Sequence, residues 1–123
     1  MKIKTLFSAA ILHTAFLFPY SGSWVTSNLT GNWSLPADWT PAGGPPTVAG
    51  DTATFPTGPV GAVTVTVDMA TFIVGTLSFT NTAFAYNIVG SGANSLNLTG
   101  SAGTASITNG ITVTSNNTIG VPL

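Results

Sequence analysis

The run Ala62-Val63-Thr64-Val65-Thr66-Val67 alternates valine with threonine. In an extended chain successive side chains point to opposite faces, so Val63, Val65 and Val67 share one face and Thr64 and Thr66 the other. A helix would scatter the same valines around its circumference. Period two with β-branched residues predicts a half-buried strand. The pattern recurs downstream. Leu77 and Phe79 alternate with Thr76, Ser78 and Thr80, then come Phe84, Tyr86 and Ile88, then Leu96 and Leu98, then Ile111 and Val113. Turn-forming residues separate these segments at Asp68, Asn81, Gly90-Ser-Gly, Gly100-Ser-Ala-Gly, Asn109-Gly110 and Asn116-Asn117. No part of the chain after Ser23 shows apolar residues at helical spacing with charges opposite.

Short strands at intervals of roughly ten to fifteen residues suit a sandwich, a barrel or a solenoid. Two features favour the solenoid, an all-β architecture. Thr76-Leu-Ser-Phe-Thr, Ser95-Leu-Asn-Leu-Thr and Gly110-Ile-Thr-Val-Thr read as versions of one unit. The outward positions carry Thr, Ser and Asn rather than charges. Stacked rungs place like side chains side by side, and like charges there would repel.

Trp24 to Pro59 differs from the strand-rich remainder of the chain. It holds all three tryptophans and six of the eight prolines. Proline removes a ladder donor and avoids central strands. Residues 24–59 are therefore expected to form an irregular N-terminal cap. Its aromatics would cover the first rung of a solenoid spanning 60–123, since an open end exposes apolar core and unpaired backbone. Ahead of the cap, Lys2 and Lys4 precede an apolar run from Leu6 to Phe18, and Ser21-Gly-Ser23 ends it. A basic head, an apolar stretch and a small-residue exit describe a secretory signal peptide over residues 1–23, with cleavage expected after Ser23. A transmembrane anchor would need about 20 apolar residues, more than this run supplies.

The motifs Gly31-Asn-Trp-Ser34, Asp38-Trp39, the Pro41–Pro46 loop, Gly50-Asp-Thr-Ala-Thr-Phe55 and Thr64-Val-Thr-Val-Asp68 carry a family resemblance. In this order the chain resembles the N-terminal region of autotransporter-type passenger proteins with the autotransporter-associated β-strand repeat. Similar openings occur in secreted proteins with PEP-CTERM sorting tails. The resemblance covers Trp24 to about Ile119. It implies the start of a right-handed parallel β-helix, exported by bacteria and displayed at or released from the cell surface, and it implies no single activity. The sequence lacks the family's translocator barrel and sorting tail. It stops at Thr118-Ile-Gly-Val-Pro-Leu123, where the family would continue into another rung, so a truncated gene, a fragment or a degenerate copy is expected.

Charge excludes most chemistry. Only 4% of the residues are charged, against roughly a quarter in an ordinary soluble domain. Lys2, Lys4, Asp38, Asp51 and Asp68 are all of them, and Glu, Arg and Cys are absent. No basic patch exists to hold a nucleic-acid backbone, and no thiolate can bind metal or form a disulfide. After Ser23 there is no His or Lys to serve a serine nucleophile as base. The single histidine, His13, lies in the apolar run. Proton-handling groups beyond Ser23 reduce to Asp38, Asp51, Asp68 and Tyr86. A carboxylate pair would suit glycoside hydrolysis, but Asp is also a common turn residue that accepts backbone N–H bonds. Asp38, Asp51 and Asp68 are therefore expected to hold turns and the cap. Calcium takes Asp and carbonyl oxygens, and Asp51 and Asp68 are the candidates, yet no calcium-binding loop motif is present. No cofactor is expected.

Trp24, Trp33 and Trp39 have two readings. Exposed indoles stack on sugar rings, and buried ones plug the end of the fold. Sequons at Asn28, Asn32, Asn97 and Asn116 arise easily in so Thr- and Asn-rich a chain. The expected function is a non-catalytic, secreted or surface-exposed solenoid segment, acting as a spacer or adhesin. The alternative is a carbohydrate-binding module using Trp33 and Trp39, and the third reading is a fragment of a polysaccharide-degrading enzyme. Expected partners are surface glycans or further copies of the chain, without nucleic acid and without membrane insertion of the mature part. Low charge and high β-propensity favour edge-to-edge association.

Overall fold

The structure, a computed structural model, describes residues 18–81, 83–101, 104–109 and 117–123. Strands run in the order β1 (Ser21–Trp24), β2 (Thr30–Asn32), β3 (Trp39–Thr40), β4 (Thr52–Phe55), β5 (Val63–Val67), β6 (Thr71–Val74), β7 (Thr76–Phe79), β8 (Tyr86–Gly90), β9 (Ser95–Leu98), β10 (Ser106–Asn109) and β11 (Thr118–Gly120). A 3-10 turn over Pro36–Asp38 leads into β3. The described residues contain no α-helix, and the protein is all-β.

Three sheets share one interior. Their strand orders are β10-β7-β4-β1-β3, β11-β8-β5-β2 and β6-β9. Apart from the antiparallel pair of β1 and β3, every pairing among the described residues is parallel and joins a strand to the one three places along the chain. Alternation explains the burial. β5 buries Val63, Val65 and Val67 and turns Thr64 and Thr66 outward. β4 and β7 bury Ala53, Phe55, Leu77 and Phe79 in the same way. Parallel register then sets like beside like, with Ala53 beside Leu77, Phe55 beside Phe79, and Val65 beside Ile88. Burying a large aliphatic or aromatic side chain contributes about 1.5–3 kcal/mol, so these inner columns are the main source of cohesion.

The corner between β6 and β7 is one residue, Gly75. A Cβ there would lie 2.5 Å from the Cα of Gly50, which itself has φ +89°. Glycine at both positions lets the two corners touch. Gly75 and Thr76 both donate their amide N–H to the carbonyl of Asp51, at 2.8 and 2.9 Å. Past β11 the chain returns beside β9, where Leu96 N–H donates to Pro122 O (2.9 Å) and Val121 is buried.

Several expectations change. Residues 24–59 are not wholly irregular: β2, β3 and β4 lie within that span, β1 ends at its first residue, and β1, β2 and β4 each pair with a later strand. The cleavage boundary expected after Ser23 falls inside β1, whose Gly22 and Trp24 are buried. Residues 1–17 of the expected leader lie outside the described residues, as does the strand expected at Ile111 and Val113. Phe84 sits outside any strand and is exposed, so alternation begins only at Tyr86. Two of the look-alike units occupy different sheets. Thr76–Phe79 pairs with β4 and β10, whereas Ser95–Leu98 pairs with β6. Their likeness reflects a shared need to bury alternate residues.

Candidate functional surface

Each aspartate is engaged by its own set of donors. Asp38 is 4% exposed. It accepts Asn28 Nδ2–H on Oδ1 (2.7 Å) and the Asn32 amide on Oδ2 (3.2 Å), while its carbonyl takes the Val25 amide. Gly31 passes so close to this carboxylate that a Cβ there would collide with it. Asp51, 2% exposed, accepts the Tyr20 amide on Oδ1 (2.8 Å) and the Thr47 and Val48 amides on Oδ2 (2.9 and 3.0 Å). Asp68 takes the Ser34 amide (3.1 Å) and the Ser34 hydroxyl (2.5 Å), tying the turn after β2 to the turn after β5. The three carboxylates share no partner. A cation at Asp51 would have to displace N–H donors from both oxygens, and that site is not built for calcium. No cluster of three His, Cys, Asp or Glu occurs among the described residues, and no cavity opens there.

The tryptophans are inside. Trp24, Trp33 and Trp39 are 1%, 0% and 2% exposed. Trp39 packs against Trp24 with centroids 5.3 Å apart and planes at 86°, and against Trp33 at 5.0 Å. Trp33 also meets Phe55 and Phe72 at 6.1 and 5.9 Å. Their indole N–H groups donate to Asn28 O, Pro46 O and Trp33 O respectively. With faces covered and N–H groups engaged, none presents a plane to a sugar ring. The carbohydrate-contact reading of Trp24, Trp33 and Trp39 is corrected on that ground. Proline and irregular backbone around them gave no signal of which way the rings face.

The outward side chains form hydroxyl rows. On the first sheet Ser21, Thr52, Thr76 and Ser106 lie in register across four strands, and Ser23, Thr54, Ser78 and Thr108 form a second row. Thr30, Thr64, Asn87 and Thr118 line up on the second sheet. Neighbours bond along the rows: Thr76 with Ser106 (3.2 Å), Thr71 with Ser95 (3.4 Å), and Thr118 Oγ1–H to Asn87 Oδ1 (2.7 Å).

Asn81 and Asn117, which the sequence marks only as turn formers, pair with each other within the fold. Asn81 is fully buried. Its Nδ2 donates to Phe84 O (2.6 Å) and to Asn117 Oδ1 (3.0 Å), and Asn117 Nδ2 donates back to Asn81 Oδ1 (2.9 Å). Asn117 Oδ1 also accepts the Tyr86 amide (2.8 Å). Tyr86, buried with its hydroxyl donating to Pro56 O (2.9 Å), has its pKa raised from 10.0 to about 12 by desolvation. No buried side-chain nitrogen or oxygen among the described residues lacks a partner.

No protein-family model, curated protein or solved structure matches the chain.

Proposed function

We propose that the protein is a non-catalytic segment of a secreted or surface-displayed β-solenoid, serving as a spacer or adhesive surface. The observation that carries this reading is the pairing rule: each parallel partner lies three strands further along the chain. A chain that winds through three faces and returns to the first produces that order, and successive turns are then rungs. Parallel crossovers are right-handed in nearly all proteins, which supports a right-handed coil, as does the resemblance to passenger proteins. The tryptophan cluster and the antiparallel β3 close the N-terminal end, the role that cap segments play in repeat folds.

Absence of catalysis is supported by the engagement of Asp38, Asp51 and Asp68 in structural hydrogen bonds. Export is supported by the basic and apolar character of residues 2–18. The outward hydroxyl rows are the surface through which an adhesive contact would form. Purified protein incubated with a panel of polysaccharides is expected to release no reducing ends, and beads coated with it test adhesion to cells or glycans directly. Turnover that disappears in Asp51→Asn or Asp68→Asn would overturn the non-catalytic reading.

A further inference from the structure

The small-residue exit of the expected leader and the first strand are the same residues. We infer that Tyr20–Ser23 belong to the working protein, and that any removal of the N-terminal segment occurs ahead of Tyr20. The inference concerns where the fold starts, and only its processing arm rests on the export reading.

Tyr20 is fastened at three points. Its amide donates to Asp51 Oδ1 (2.8 Å), its carbonyl accepts the Thr52 amide (2.8 Å), and its hydroxyl donates to Pro41 O (2.7 Å). Ser21, Gly22 and Ser23 then pair with Thr52, Ala53 and Thr54, and Ser23 pairs with Thr40 on the other side. β1 is thus an interior strand of its sheet, between β3 and β4. Hydrolysis after Ser23 would remove all but Trp24 of this strand. It would leave the buried Asp51 Oδ1 without its Tyr20 donor and strip β4 of a neighbour. The new ammonium would stand on Trp24, whose side chain is 1% exposed. Loss of a buried partner and exposure of a sheet edge are both destabilising. Phe18 is 82% exposed and Pro19 is exposed, and neither lies in a strand.

Hydrolysis by an export peptidase adds water across one peptide bond, giving a carboxylate on the leader and an ammonium on the product. The full-length chain, expressed with its own N-terminal segment in a bacterial host, tests the inference by intact mass of the product recovered outside the cytoplasm. A product beginning at Tyr20 or earlier supports it. A product beginning at any residue from Ser21 to Trp24 overturns it. If the chain stays in the cytoplasm, the export reading fails and the boundary is still tested by proteinase K on the native protein. A resistant core that begins at or ahead of Tyr20 supports the inference. A core that stays folded after cleavage between Tyr20 and Trp24 overturns it.

Discussion

Phe55 and Phe79 stack inside the fold with ring centroids 4.9 Å apart and planes inclined by 18°. They occupy equivalent positions on β4 and β7, one strand spacing apart. Parallel in-register pairing produces such contacts directly, because it sets each inward residue beside its counterpart. Truncating a buried Phe to Ala typically costs about 3–5 kcal/mol. Phe79→Ala is expected to lower stability by that order, read as a drop in urea midpoint at unchanged slope. Phe55→Ala should cost a similar amount. The double variant should lose less than the sum, because the singles each remove the same stacking contact.

Gly75→Ala should destabilise the corner between β6 and β7. The added methyl meets the Gly50 backbone at 2.5 Å, and backbone cannot swing aside as a side-chain end can. Overpacking of this kind costs about 1–3 kcal/mol. Thermal unfolding should show the loss, whereas Gly92→Ala, at φ +65° with open space around its Cβ, should show only backbone strain.

Asn81→Ala would leave the amide of Asn117 facing an apolar methyl, with the Phe84 carbonyl also losing its donor. Asn117 is half-buried and keeps the Tyr86 amide, and Phe84 is exposed, so the loss is that of hydrogen bonds, about 0.5–1.5 kcal/mol each. Chemical denaturation of Asn81→Ala should show that loss, and Asn117→Ala should resemble it, since each residue completes the other.

Tyr86 makes stability fall at high pH. Its hydroxyl ionises near 10.0 in the unfolded chain and near 12 in the folded one. The neutral form favours the fold, so the contribution is fully present below pH 10 and is lost as pH rises towards 12. A tenfold change in an ionisation constant corresponds to about 1.4 kcal/mol. Denaturant midpoints measured from pH 9 to 12 should decline across that window. Tyr86→Phe should flatten the decline attributable to this group while losing the bond to Pro56 O at neutral pH.

Part of this architecture is legible in the residues. Val63–Val67 and Thr76–Phe79 alternate cleanly and form β5 and β7. β6 is hidden because Phe72, Ile73 and Val74 are consecutively apolar, and Ile73 points outward. A one-residue corner at Gly75 further blurs two strands into one run. β1 is masked by chemistry with two uses: Ser-Gly-Ser suits a peptidase exit and a strand whose glycine packs inward. The Asn81–Asn117 pair spans 36 residues, so nothing local announces it. Burial of Trp33 and Trp39 draws on Phe55 of β4, and that of Trp33 also on Phe72 of β6, distant partners that no local pattern names.

The central claim is the parallel pairing of strands three apart, and the absence of native cysteine makes it directly measurable. Nitroxides on Thr52→Cys and Ser106→Cys should sit on one face, two strands apart through Thr76. With strands about 4.8 Å apart, the backbone separation is about 10 Å. Continuous-wave electron paramagnetic resonance should show strong dipolar broadening in the doubly labelled protein, absent from either single label. Spectra that equal the sum of the singles would contradict the parallel pairing.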